Sequence, residues 1–316
     1  MNFDSQPIER LLPHRIVSVQ NRILTRWING TNLDLSAGFF EDSAKALPSM
    51  EQNATIGPLD SLLSATRKSP NNLAGVIYHC GRCGSTLLCQ MLKQHPNLIV
   101  VSEPPILGDI LALPNLSHEQ RVDALRAVFS VYGEWARSRG GKLVVKLTSW
   151  ILEHRNVVDS SIPKTPKLLL FRSPVPVIES LSLGPPAWLL ARLGKDSPSR
   201  ADLANAAVAT YLSHARHAVD MAESSTLRFV DYEEISSSLT AILNHFALPK
   251  PSESSIAMML AQNSYYAKRV AGEQPPYVAP SNRCAQETET LVGSRSLEAI
   301  QAAYSHLKAS LAHRRI

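Results

Sequence analysis

The sequence has few cysteines and no long apolar run, and both shortages exclude whole classes of protein. Its four cysteines are Cys80, Cys83, Cys89 and Cys284, and three of them lie close together while the fourth is far along the chain. This is not the pattern of a disulfide framework. No apolar run approaches the roughly 18 residues of a membrane span, and the first residues, MNFDSQPIERLLPHR, are too charged and proline-broken for a secretory signal. We therefore expect a cytoplasmic protein without a membrane span.

The excess of positive charge is also small. Lys and Arg number 32 against 27 Asp and Glu, which gives a net charge of +5, and these residues are spread along the chain. Such a balance suits an anionic ligand, but it is too weak and too dispersed to indicate binding to nucleic acid.

Length and apolar content predict one large domain with an extension. The 316 residues are 44% hydrophobic, which is enough for a sizeable core. Residues 1 to about 70 form a less regular region in which we find no chemistry. We expect residues 1–70 to be an N-terminal extension packed on the core, and residues 71–316 to be the main domain.

The main domain alternates short apolar strands with amphipathic helices. This alternation predicts an α/β fold of three layers, α/β/α, with a central parallel sheet and helices on both faces. Ligands of such sheets bind at the carboxyl ends of the strands. The predicted strands are 73–78, 98–101, 142–147, 167–171 and 226–230, and the predicted helices are 85–94, 118–139, 174–183, 201–221 and about 233–246.

The stretch YHCGRCGSTLL, residues 78–88, admits more than one chemistry. Cys80 and Cys83 have the C-x-x-C spacing of a redox dithiol or of half a zinc site, and His79 adds to the metal interpretation. The same letters are rich in Gly, Ser and Thr between a strand and a helix, as in a loop that binds phosphate with backbone N–H groups. The loop lacks both the first glycine and the lysine of the Walker A pattern, which weakens the case for an ordinary ATPase.

The order Arg82, Cys83, Gly84, Ser85, Thr86 after a strand resembles the 5′-phosphosulfate loop of the sulfotransferases, [KR]-[ST]-G-T-[TS]. These enzymes use 3′-phosphoadenosine 5′-phosphosulfate (PAPS) as sulfuryl donor. Cys83 departs from the pattern, which suggests that its position contributes mainly its backbone N–H. The resemblance implies a sulfotransferase domain with a P-loop over residues 71–316, in which these five residues bind the donor.

A second segment resembles the family's 3′-phosphate site. In that site an Arg ends a strand and a Ser follows eight residues later in a helix, as Arg172 and Ser180 do here. An arginine offers a fork of donors to a dianionic phosphate, and serine adds a neutral donor. The segment Leu227–Ile235 resembles the family's late strand and turn, for which we expect a structural role.

The catalytic residues implied by the resemblance are Glu103, Lys146 and Arg82. The order Arg82, helix, His95-Pro96, Glu103 is similar to that of the tyrosylprotein sulfotransferases and related bacterial proteins, in which this Glu is the general base. Lys146 stands 26 residues before Arg172, where those relatives have a Lys that contacts the transferring group. The resemblance covers about residues 73–246 and implies no metal.

Two further segments have less certain roles. Residues Ser264 to Arg269 are a candidate for the donor's far side, with Lys268 as the binding residue. The segment Gly184 to Gly194 is a candidate cover for the acceptor site, and a second packed helix explains it equally well. The acceptor itself, a small molecule or a peptide, is not defined by these motifs.

Three other functions stay open on the sequence. One is a P-loop kinase of a small alcohol or nucleoside, against which stand the missing Walker lysine and the Arg172/Ser180 pair. Another is a redox or metal-binding protein built on Cys80 and Cys83, although no second pair of zinc ligands follows. The third is a nucleotide-binding module without catalysis, which the presence of both Glu103 and Lys146 disfavours.

Overall fold

The structure is a computed structural model of the 316-residue chain. It describes residues 10–20, 22–52, 55–64, 72–265, 267–268, 276 and 284–316. Within these ranges the chain forms two β-sheets, one antiparallel and one parallel, with helices packed against them.

The first sheet is built from the segment that the sequence predicted to be less regular. The prediction was wrong here, because three strands pair in the order β1–β2–β3. Pro13 and the charged residues around it mask the strand pattern, and the register shifts next to that proline. The elements are β1 (Leu11–Val19), β2 (Arg22–Asn29), α1 (Phe40–Lys45), α2 (Ser49–Gln52), β3 (Thr55–Pro58) and α3 (Leu59–Ser64).

The second sheet is the parallel sheet that the apolar runs predict, and its existence is confirmed. Its strands are buried along almost their whole length, as expected of a sheet covered on both faces. The strands are β4 (Leu73–His79), β5 (Leu98–Ser102), β6 (Lys142–Lys146), β7 (Lys167–Phe171) and β8 (Leu227–Asp231).

Helices fill the connections between these strands and continue to the end of the chain. The predicted helix over 233–246 is shorter than expected, because a 3₁₀ turn at Tyr232–Glu234 precedes it. The helices are α4 (Ser85–Leu92), α5 (Pro105–Ala112), α6 (His118–Ser138), α7 (Arg155–Ser161), α8 (Pro174–Leu183), α9 (Ala187–Leu193), α10 (Arg200–Val219), α11 (Leu239–His245), α12 (Glu253–Ala261), α13 (Cys284–Val292) and α14 (Ser294–Ser310).

The strand order β5–β6–β4–β7–β8 puts β4 in the middle of the sheet. After β4 the chain first builds β5 and β6 on one side, and it then crosses to build β7 and β8 on the other. The order therefore reverses at β4, and in open parallel sheets such a reversal opens a crevice at the carboxyl ends of the strands. The loop Cys80–Gly84 lies at this point.

The antiparallel sheet contacts the helices that follow β5. Tyr132 on α6 donates its hydroxyl proton to the backbone oxygen of Pro13 at 2.8 Å. Asp109 on α5 accepts from the backbone N–H of Ile16 at 3.0 Å and from Arg15 at 3.3 Å. The division of the chain at residue 70 nevertheless stays a prediction.

Among the described residues, no helix is both long and apolar enough to cross a membrane.

Candidate active site

The loop between β4 and α4 turns sharply through three residues with left-handed backbone conformations. Gly81, Arg82 and Gly84 all have positive φ, at 85°, 54° and 77°. Such turns expose backbone N–H groups, and α4 starts directly afterwards at Ser85 with its own N-terminal donors. The loop can therefore surround an anion with backbone donors.

Gly84 is required at its position for two reasons. Its φ of 77° favours glycine, and a Cβ there would come within 2.7 Å of the Tyr232 ring and 2.8 Å of Ile235. The late strand and turn therefore pack directly against the loop.

Arg82 projects from the loop to the C-terminal end of α8. Its guanidinium donates to the backbone oxygen of Gly184, and the N–H of Gly184 in turn donates to the backbone oxygen of Ser180 at 3.2 Å. The Arg82 side chain and the backbone of Ser180 thus meet at the same glycine.

Glu103 and Lys146 form an ion pair at the carboxyl ends of β5 and β6. The Lys146 Nζ lies 2.7 Å from Glu103 Oε1, and it also donates to Thr86 Oγ1 at 3.1 Å. The Glu103 N–H donates to the Lys146 backbone oxygen at 2.8 Å, which extends the pairing of the two strands past their ends. Glu103 has a φ of 54°, a strained conformation for a non-glycine residue. This turn aims its carboxylate back at the lysine.

The pair determines the charge on Glu103. Burial alone would raise the pKa of the Glu103 carboxyl, but the Lys146 ammonium and the neighbouring His79 ring outweigh it and lower this pKa to about 2. Lys146 is fully buried, and a buried cation is tolerated only when it is paired. Glu103 is thus held in its charged form beside the Lys146 ammonium.

His79 supports the site as a structural residue. Its Nδ1 accepts from the Gly81 N–H at 3.0 Å, and its Nε2 lies 2.8 Å from the Leu147 backbone oxygen and 3.7 Å from Glu103 Oε1. This arrangement assigns the neutral tautomer with the proton on Nε2. His79 therefore fixes the start of the loop by accepting from Gly81 and donating to the Leu147 backbone oxygen.

Arg172 follows β7 on the other side of the loop. Its Nη1 lies 3.4 Å from the backbone oxygen of Arg82, and its guanidinium stacks on the Tyr232 ring at 3.9 Å from the centroid. The Tyr211 hydroxyl donates to the Arg172 backbone oxygen at 2.8 Å. Ser180 lies half-buried on α8, the helix that begins two residues after Arg172.

The structure brings most of the predicted residues to one edge of the sheet. Lys146 contacts Glu103 and Thr86, and the loop that carries Arg82 contacts Arg172. The roles of these residues stay predictions. Two residues that sequence reasoning missed are Tyr232, which we assigned to a structural segment, and Phe39, which lies in a region where we found no chemistry. The sequence signal for Tyr232 is an aromatic residue placed directly after β8.

Lys268 lies beside Gly38, in the segment that precedes α1. Its Cα would be 3.1 Å from a Cβ placed on Gly38, and the neighbouring Ala267 backbone oxygen accepts from Gln90 on α4 at 3.4 Å. Tyr266 and Arg269 of the same candidate segment lie outside the described residues. A role for Lys268 in donor binding stays a prediction.

The segment Gly184–Gly194 contains helix α9. Leu189 is buried in the core, and Arg192 holds Glu153 through two hydrogen bonds of 3.0 and 2.8 Å. Leu183 just before it is 63% exposed. The segment is thus a packed helix with an exposed apolar edge beside the Arg82–Gly184 contact.

The Cys80 and Cys83 thiols are buried next to each other, and the Cys83 thiol also lies beside His79. Cys80 Sγ donates to the Gly81 backbone oxygen at 3.3 Å, and Cys83 Sγ donates to the Leu170 backbone oxygen at 3.5 Å. In the part of the chain that the structure describes, no group of three or more His, Cys, Asp or Glu side chains is arranged to hold a metal ion.

Comparison with solved structures gives the class of fold. No protein-family model and no curated protein matches this sequence. The chain is structurally similar to the sulfotransferase STF9 from Mycobacterium avium, at 12% identity over 79% of each chain and a TM-score of 0.50. Matches with lower scores include the sulfotransferase domain of the Synechococcus PCC 7002 olefin synthase (18% identity, 76% of this chain and 96% of that one, TM-score 0.45) and mouse sulfotransferase SULT7A1 complexed with PAP (10%, 79% and 89%, 0.46).

The fold is therefore sulfotransferase-like, an α/β fold with a central five-stranded parallel sheet flanked by helices. This confirms the fold class and the family resemblance that the sequence motifs predict. At such low identity the likeness extends to the fold alone.

Proposed function

We propose that this protein is a sulfotransferase that moves a sulfuryl group from PAPS to a hydroxyl or amine acceptor. The observation that carries the proposal is the contact of the Glu103–Lys146 pair with the first turn of α4. Lys146 Nζ reaches Thr86 Oγ1 at 3.1 Å while bound to Glu103 at 2.7 Å. A carboxylate and a cation are thereby placed beside an anion-binding loop.

The donor's 5′-phosphosulfate and its 3′-phosphate would bind in two neighbouring subsites, one around Arg82 and one around Arg172. We assign the 5′-phosphosulfate to Arg82 and to the backbone N–H groups of Cys83, Gly84, Ser85 and Thr86. We assign the 3′-phosphate to Arg172 and Ser180. The hydrogen bond from Arg172 to the Arg82 backbone oxygen, 3.4 Å long, supports the proximity of these two subsites.

In-line sulfuryl transfer needs positioned charges, as phosphoryl transfer does. The acceptor oxygen or nitrogen forms a bond to sulfur while the bond from sulfur to the 5′-phosphate oxygen breaks, and 3′-phosphoadenosine 5′-phosphate (PAP) leaves. Arg82 and Lys146 would stabilise the negative charge on the phosphosulfate oxygens. Glu103 would accept the acceptor's proton.

The ion pair explains how Glu103 could become a base at the correct moment. In the donor-free protein Lys146 keeps the pKa of Glu103 at about 2, which makes the carboxylate a weak base. When the Lys146 ammonium turns to the sulfuryl oxygens, Glu103 loses its partner and its affinity for a proton rises.

The first test of the proposal is donor selection. We expect PAP to bind about 10²-fold more tightly than AMP, because charge-assisted hydrogen bonds to the 3′-phosphate each stabilise the complex by about 1.5–3 kcal/mol. Isothermal titration calorimetry measures both affinities, and transfer of ³⁵S from labelled PAPS to a panel of alcohols, phenols, amines and tyrosine peptides measures activity. Equal affinities for PAP and AMP would contradict the 3′-phosphate site, and Mg²⁺-dependent turnover of ATP would favour the kinase.

A second test addresses the C-x-x-C spacing. We expect the double variant Cys80→Ser, Cys83→Ser to retain transfer to within about threefold, because each thiol donates to a backbone oxygen and a hydroxyl can replace it. Transfer rates and the PAP affinity measure the effect. Cys89→Ser, buried on α4 outside the pair, is the matched control.

A loss of activity in the double cysteine variant would support a different function. If the double variant loses activity together with bound zinc, or together with a thiol–disulfide exchange activity of the wild type, the redox or metal function is correct and the loop assignment is wrong. Elemental analysis of both proteins and an insulin-reduction assay distinguish these cases.

A further inference from the structure

The ammonium of Lys146 has a third contact, which comes from outside the parallel sheet. Its Nζ lies 4.8 Å from the centroid of the Phe39 ring, within the range of a cation–π interaction. A lysine ammonium has three N–H donors, and Glu103 and Thr86 take two of them. The Phe39 ring lies over the same buried ammonium and limits its access to water.

Phe39 is held in place because the residues before it and the residue after it in the sequence contact other helices. Gln90 on α4 donates to the Ser36 backbone oxygen at 3.1 Å, and Lys93 on the same helix donates to the Ala37 backbone oxygen. The next residue, Phe40, is buried with its ring centroid 5.8 Å from that of Tyr132. The segment before α1 is thus fastened to the helix that begins at the anion-binding loop.

This anchoring restricts where the Phe39 ring can lie. The residue has an extended backbone, with φ at −132° and ψ at 150°, and it stands directly before α1. Its side chain is partly exposed, so one part of the ring covers Lys146 while another part faces outward. A ring needed only for the core would be buried on all sides, as Phe40 is.

We propose that Phe39 is a positioning residue for sulfuryl transfer, an inference that rests on the role of Lys146 in the proposed function. The ring shields the ammonium from water, both in its pair with Glu103 and when it turns to the sulfuryl oxygens, and it lowers the local dielectric around it. A less polar surrounding strengthens the interaction of Lys146 with negative charge in the transition state. Phe39 thus acts on the rate through Lys146 and leaves donor binding to the loop and Arg172.

The kinetic test compares a substitution that removes the aromatic ring with one that keeps it. Phe39→Leu removes the aromatic face and keeps an apolar side chain, whereas Phe39→Tyr keeps the face. We expect Phe39→Leu to lower kcat about tenfold and Phe39→Tyr to stay within about twofold of wild type, with the PAP affinity of both unchanged. Equal kcat in all three proteins, or a PAP affinity that falls in step with kcat for Phe39→Leu, overturns the proposal.

A second measurement does not depend on activity. Amine labelling with acetic anhydride, followed by mass spectrometry, reports the access of reagent to each lysine. Lys142, exposed at the start of β6, and Lys167, buried at the start of β7, are the open and the protected references. We expect Phe39→Ala to raise labelling of Lys146 about tenfold relative to Lys142, with Lys167 still protected and Phe39→Tyr like wild type.

The two measurements separate the possible failures. Unchanged labelling of Lys146 in Phe39→Ala overturns the shielding, whatever the activity. If Phe39→Ala increases the labelling of Lys146 but the wild-type protein neither binds PAP nor transfers sulfuryl groups, the contact is supported and the proposed function is contradicted. If Lys167 is also labelled in Phe39→Ala, that variant has unfolded and the kinetics of Phe39→Leu decide.

Discussion

Glu103→Gln should lower kcat for sulfuryl transfer by about 10²–10⁴-fold and leave the PAP affinity within about twofold of wild type. Glutamine has the shape of glutamate, and its Oε1 can still accept the hydrogen bond from Lys146. It cannot accept a proton from the acceptor. Steady-state kinetics with labelled PAPS and calorimetry with PAP measure the two quantities separately.

The matched control is Glu119→Gln, which changes an exposed glutamate in the first turn of α6. A kcat for Glu103→Gln within about threefold of the control would show that another group accepts the proton. Loss of PAP binding together with kcat would instead assign Glu103 to the structure of the loop, because the carboxylate compensates the buried Lys146.

The pH profile offers a second check on Glu103. In the donor-free protein its pKa is lowered to about 2 from an ordinary value of 4.5, so the carboxylate persists as the pH falls and is protonated only near pH 2. The acid limb of kcat/KM reports groups of the free enzyme. Glu103 should therefore contribute no acid limb near pH 4–5 in that profile.

Arg172→Gln should abolish most of the preference for PAP over AMP, with a loss of at least about tenfold in the ratio of the two affinities. Glutamine has no positive charge and cannot form the double hydrogen bond that a guanidinium makes to phosphate. AMP lacks the 3′-phosphate, so its affinity should change little. Arg172→Lys should give an intermediate ratio, because lysine keeps the charge but loses the fork and the stacking on Tyr232.

Arg137→Gln is the control for this experiment, since Arg137 is exposed on α6 and pairs with Glu134. A ratio for Arg172→Gln equal to that of the control would move the 3′-phosphate site away from the end of β7. A fall in the affinity for PAP and AMP alike would show that Arg172 acts by holding the Arg82 backbone, which its Nη1 contacts at 3.4 Å.

The sequence allowed the parallel sheet to be predicted because its strands are buried throughout. The run 168–171 is apolar, and the structure forms β7 over these residues and the preceding Lys167. The antiparallel sheet was missed for the opposite reason. Its first strand, LLPHRIVSV, contains a proline and two basic residues, and neither alternation nor a continuous apolar run is visible in it.

Contacts between segments that are distant in the chain are the part of the site that is hardest to predict from the sequence. The proximity of Glu103 and Lys146 could be inferred, because both stand at the carboxyl ends of predicted parallel strands. The contact of Phe39 with Lys146 depends on how the antiparallel sheet packs against α5 and α6 and on how the segment before α1 binds α4, and no local pattern records that packing. The stacking of Tyr232 on Arg172 likewise requires β8 to lie next to β7.

Because residues 36–40 are bound to α4, removal of the N-terminal segment would affect the parallel-sheet domain as well. A chain shortened to residues 71–316 would keep every residue that the motifs identify, and by sequence it would pass for a complete enzyme. It would also lose the ring over Lys146 and the partners of Gln90 and Lys93 on α4. The boundary that composition suggests near residue 70 is therefore a poor place to cut, because residues before it are bound to the helix that follows the loop.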